Sequence, residues 1–236
     1  MKRYLFVGAL LLGWVTMTSL AYAEETAAPV CDQQKDPYCF QPLFSQSFES
    51  LKGVNLPKIA TPSWASPSAP VVTEVTYSVA TRGTVTADLA EFKSVAAATY
   101  NSPLGWSRLG VKFTEVASGG RFTLWLSEAS QMTTFSAAGC DTTYSCAVGS
   151  NVIINQDRWV NGADPFIGAG GSLADYRAMV LNHELGHWLG HGHRLCSGAG
   201  QPAPLMQQQS MGMQGCAPNA WPLAGELTSS TLGIRS

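Results

Sequence analysis

HELGHWLGHGH, residues 183–193, contains all four histidines of a 236-residue chain. If its first half is helical, His183 and His187 stand four residues apart and project from one face, one turn from each other, close enough to share an ion. Glu184 sits beside the first of them, placed to address water at the ion rather than the ion itself. This is the H-E-x-x-H arrangement, in which two imidazoles hold Zn²⁺ and the carboxylate is the general base. A straight helix does not supply the third ligand, because His191 would lie about 12 Å along the axis from His183, whereas zinc–imidazole bonds are about 2.0–2.1 Å long. Gly190 can take positive φ, end the helix and turn the chain back, so that His193 returns to the metal. The expected centre is one Zn²⁺ on His183, His187 and His193, with its fourth position open and Glu184 as the catalytic residue. His191 is expected outside the ligand set, facing solvent or supporting a ligand.

Upstream of this stretch, SLADYRAMVLNHELGHWLG carries an apolar stripe of Leu173, Tyr176, Val180, Leu181 and Leu185 behind a Ser172/Asp175 cap, which predicts a long helix. VVTEVTYSV alternates as a strand does, and TADLAEFKSVAAATY has helical spacing with Asp88 and Glu91 placed like a capping box. VKFTEV and RFTLWL are two further strands around a Gly119-Gly120 turn, and NVIIN, 151–155, is a fourth. NGADPFIGAGGS is expected to be a glycine-rich connection. Strands first, one helix among them and a long final helix predict an α+β fold, a twisted mixed sheet of four to five strands backed by two main helices.

The chain begins MKRYLFVGALLLGWVTMTSLAYAEE, a basic start, an apolar run and an Ala-x-Ala site before Glu24, the layout of a secretory signal peptide over 1–23. Cleavage there takes two cations and no acids, leaving 12 Lys and Arg against 16 Asp and Glu. A mildly acidic chain has no electrostatic footprint for nucleic acid. Residues 24–70, rich in Pro and Ser, are expected to form an extension or linker or a removable pro-segment, and 71–236 the folded domain. All six cysteines follow residue 23, and an even count in an exported chain points to three disulfides. Fifteen connectivities are open, and proximity in sequence suggests Cys31–Cys39, Cys140–Cys146 and Cys196–Cys216.

The motif HELGHWLGHGH resembles the zinc signature of the metzincin metallopeptidases, whose long form continues into a methionine-containing turn beneath the metal. PAPLMQQQSMG is similar to such a turn, with Met206 as its methionine and Met211 as the second choice. The stretch from DYRAMVLNHELGHWLGHGH through CSGAGQPAPLMQQQSMGMQGCAPNAWP resembles more closely a family of exported bacterial proteins of uncharacterised function, over about 71–223. Gln207, Gln208 and Gln209 follow Met206, where several metzincin groups have a tyrosine at short range. The resemblance implies a secreted zinc metallopeptidase in which Met206 is an apolar floor and an edge strand, here NVIIN with Asn155 to Trp159 near the cleft, pairs with extended substrate.

The expected partner is therefore a peptide or protein substrate, met outside the cytoplasm by a monomer without stable membrane insertion after signal cleavage. Two other readings use the same residues. The centre could serve a zinc-dependent amidase acting on cell-wall peptides, because the motif sets water activation and not the pocket. It could also be a non-catalytic structural site in which Cys196 completes a His₃Cys set.

Overall fold

A computed structural model describes residues 73–235. The expected signal peptide at 1–23, the extension at 24–70 and the Cys31–Cys39 bridge lie outside the described residues.

Five strands form one mixed sheet: β1 (Thr73–Arg82), β2 (Val111–Glu115), β3 (Phe122–Ser127), β4 (Cys146–Val148) and β5 (Asn151–Asn155), in the order β2-β1-β3-β5-β4. The first four strands in that order are parallel, and only β4, at the edge, runs antiparallel to its neighbour. Alternation sorts side chains to two faces. Val75 and Tyr77 of β1, Leu124 and Leu126 of β3, and Val152 and Ile154 of β5 enter the main core. Ile153 points the other way, into a smaller cluster with Met132, Cys140 and Cys146.

The sheet corrects two expectations. β2 and β3 do not form a hairpin around Gly119-Gly120, because β1 lies between them and pairs with both. The glycines mark a close crossing instead: a Cβ on Gly120 would stand 2.5 Å from Tyr77 Cα, so the chain passes the β1 backbone where only glycine fits. NVIIN is not the edge strand either. Its residues Val152 to Asn155 are all buried, as an interior strand requires, and three-residue β4 takes the edge.

The main core is closed by α1 (Leu89–Tyr100) and α4 (Leu173–Trp188). Phe92, Ala96 and Tyr100 of α1 recur every four residues on its buried side. Asp88 caps α1, accepting from the Ala90 and Glu91 amides, but Glu91 does not return the bond: it pairs with Arg177 of α4 at 2.8 Å. The Arg177 guanidinium also donates to the Trp159 carbonyl and lies over the Trp159 ring, fastening the two helices together. The predicted glycine-rich connection NGADPFIGAGGS carries one short helix, α3 (Asp164–Gly168), and another, α2 (Gln156–Asn161), leads into it.

Cys140–Cys146 and Cys196–Cys216 are both bonded. Among the described residues, no helix is long and apolar enough to cross a membrane.

Ser172 and Asp175 form a reciprocal capping box at the start of α4, which satisfies amides that the helix itself leaves unpaired. Ser172→Ala should lower unfolding stability by about 1 kcal/mol, which thermal or urea unfolding would measure.

Candidate metal centre

The last turn and a half of α4 carries His183, Glu184 and His187. The helix then stops at Gly190, whose φ is 101°. The His191 amide donates to the Gly186 carbonyl at 3.0 Å and the Gly190 amide to the His187 carbonyl at 2.9 Å. This pair of bonds is the Schellman closure, which needs a left-handed residue at Gly190. A side chain there would also run into Ser230. The reversal brings His193 back over the helix face. The ring centroids of His183, His187 and His193 are 4.8 to 5.5 Å apart, and one nitrogen from each lies within 4.8 Å of the other two.

Two of the rings have an assigned orientation. His183 Nδ1 donates to the Leu205 carbonyl and His187 Nδ1 to the His191 carbonyl, each at 2.9 Å. A carbonyl can only accept, so in the neutral ring the hydrogen is on Nδ1 and the Nε2 lone pair is left for a cation. Burial favours that neutral form, pushing His183 down to about 3 and lowering His187 and His193 as well. His191 stays out of the cluster and supports it. Its carbonyl holds His187, its Nε2 donates to the Thr228 carbonyl at 2.8 Å, and its ring stacks on Trp106 at 5.0 Å.

Glu184 is 5% exposed, and its Oε2 has no hydrogen-bond partner. A buried carboxyl left unpaired beside three neutral imidazoles is costly, and a divalent cation with its water would answer both needs. The donor set, three nitrogens with no thiolate, is one that zinc accepts. Cys196, bonded to Cys216, offers no thiolate to complete a His₃Cys set.

Met206 is fully buried, and a Cβ on Gly186 would collide with its Sδ, so the methionine is packed directly against α4. Met211 is 55% exposed on the wall of the cleft. That cleft, about 510 Å³, is lined by His183, Glu184, His187 and His193 at its base. Tyr144, Ser145 and Ala147 from the segment around β4 and Gln208, Ser210 and Met211 from the segment after Met206 also line it. The Cys140–Cys146 bridge closes the loop that carries Tyr144, and Asp141 accepts from the Thr143 and Tyr144 amides. Asn155 fastens that loop to β5, donating to the Thr142 carbonyl and the Ser145 hydroxyl. Trp159, expected near the cleft, is instead buried against Phe92.

The cysteine spacing singled out the Tyr144 loop as a unit. No signal in the sequence singled out β4 or the Leu205 carbonyl that orients His183, which depend on contacts between distant segments.

Burial pushes the Glu184 carboxyl up to about 8. In metal-free protein the folded state then holds this proton more tightly than the unfolded chain, so stability falls as pH rises from about 4.5 towards 8. His183 acts in the opposite sense: the unfolded chain takes up a proton that the folded ring refuses, and stability falls as pH drops from 6.5 towards 3. Glu184→Gln removes only the first effect. In chelated protein its melting temperature, compared with that of the unsubstituted chain, should rise between about pH 5 and pH 8 and level off above that. A constant difference over that range would contradict the burial of this carboxyl.

No curated protein matches the chain. Residues 64–223 match a protein family described as a protein of unknown function (DUF3152). The match spans the sheet, α4, the three clustered histidines, Glu184 and Met206, and because it covers more than half of the sequence, the chain belongs to that family.

Proposed function

We propose that this chain is a secreted, metzincin-like zinc metallopeptidase that hydrolyses peptide bonds with Glu184 as general base. The observation that carries the reading is the unpaired, buried Oε2 of Glu184 next to three imidazoles, two of them with Nε2 left free for a cation. A structural site of three histidines would have no use for an acid in that position.

His183, His187 and His193 would hold the ion, which supplies Lewis acidity: it polarises a substrate carbonyl and makes water nucleophilic near neutral pH. Glu184 takes the proton of the attacking water and returns it to the amine nitrogen as the C–N bond breaks. Met206 keeps the floor beneath the ligands apolar and closely packed. An extended peptide would lie along edge strand β4, whose Cys146 and Ala147 line the cleft, and add one more strand to the sheet through its backbone. Gln208 to Met211, which also line the cleft, would then meet its side chains. Two disulfides among the described residues suit an oxidising compartment and support an extracytoplasmic location.

Cleavage of a mixed peptide library, followed by mass spectrometry with and without chelator, tests this reading. The unsubstituted chain should cleave, chelation should abolish cleavage, and Glu184→Ala should reduce it by at least about a hundredfold while still binding zinc. Equal cleavage by both proteins would remove Glu184 from the mechanism. Cleavage of cell-wall peptide amides but not of the library would transfer the same chemistry to an amidase.

A further inference from the structure

Glu226 is 1% exposed and lies beyond the end of the family match at residue 223. Its carboxyl accepts three backbone amides: Oε1 from Met206 at 2.9 Å, and Oε2 from Leu205 at 3.0 Å and from Leu223 at 2.9 Å. All three partners are donors, so both oxygens serve as acceptors and satisfy a buried acid that would otherwise be costly.

The Met206 N–H and the Leu205 C=O are the two ends of one planar peptide group. That carbonyl is the acceptor for His183 Nδ1 at 2.9 Å. Glu226 and His183 are therefore joined through a single peptide, each by one hydrogen bond. We propose that Glu226 is a positioning residue for the metal centre, acting on His183 through the Leu205–Met206 peptide. Metal-bound histidines commonly donate to a carboxylate or a carbonyl, and such partners orient the ring and raise its basicity. Here the carboxylate stands one peptide further out.

The relay has an electrostatic and a geometric part. Hydrogen bonds in series polarise one another, so a carboxylate pulling on the Met206 N–H draws negative charge onto the Leu205 oxygen and strengthens the acceptor that His183 uses. Oε2 meanwhile ties the Leu205 and Leu223 amides together, holding the Met206 turn in place. His187 provides an internal control, because its Nδ1 donates to the His191 carbonyl and no part of that peptide touches Glu226.

Glu226→Gln keeps the shape but replaces one oxygen with an amide that cannot accept a hydrogen bond. The proton resonance of His183 Nδ1, followed by NMR in metal-free protein, should move upfield while that of His187 stays in place. Zinc affinity by competition titration should fall about 10- to 100-fold. An unmoved His183 resonance with unchanged affinity would overturn the relay, as would equal movement of both histidines, the mark of general loosening. Only the affinity measurement rests on the zinc reading: if the unsubstituted chain binds no zinc, that reading fails while the resonances still decide the relay. Should the variant not fold, couplings across the two hydrogen bonds in the unsubstituted protein decide it. The two couplings run from Met206 nitrogen to the Glu226 carboxyl carbon and from His183 Nδ1 to the Leu205 carbonyl carbon. Detection of both supports the relay, and absence of either removes it.

Discussion

A neutral imidazole that donates from Nδ1 has only its Nε2 lone pair left to offer, and the site depends on this constraint at His183 and His187. Both rings meet backbone carbonyls, acceptors that cannot reverse the assignment. The carbonyls come from different places: Leu205 from the loop closed by Cys196–Cys216, and His191 from the turn after Gly190. Helical spacing aims two rings at one point, but a distant carbonyl at His183 and a local one at His187 set their tautomers.

The turn that orients His187 also closes the helix. Gly190 ends α4 with the Schellman bonds, and the chain after Glu226 then covers that end: Ser229 Oγ donates to the Leu189 carbonyl, Thr231 Oγ1 to the Trp188 carbonyl, and the Thr228 carbonyl accepts from His191. Carbonyls at a helix C-terminus need outside donors, and these hydroxyls supply them beside the clustered histidines. Residues 228–231 therefore both cap the helix end and hold His191, whose carbonyl orients His187. Another part of the cleft lining is built differently, from a short disulfide-closed loop fastened to β5 by Asn155.

What could be read in the sequence was local. The Ser172/Asp175 cap, the i, i+4 histidines and the glycine reversal are each decided within a few residues, and the structure places them as their spacing implies. The α+β class also followed from the order of strand and helix patterns. Errors arose wherever a distant partner decided. Gly119-Gly120 looked like a hairpin turn because nothing nearby indicates that β1 inserts between β2 and β3. NVIIN, apolar without alternation, has the pattern of an interior strand, and the edge fell to a three-residue segment too short to show any period. Glu226 was invisible for the same reason: a lone acid in the sequence becomes a three-amide acceptor only when Leu205, Met206 and Leu223 converge on it.

The central claim concerns the atoms around one cation, and X-ray absorption at the zinc edge, with metal content measured on the same sample, examines them directly. One zinc per chain with three imidazole nitrogens at about 2.0–2.1 Å and a further light oxygen scatterer is the expected spectrum. A sulfur scatterer at about 2.3 Å, or a chain that retains no zinc under conditions where it is folded, would contradict an open three-histidine centre.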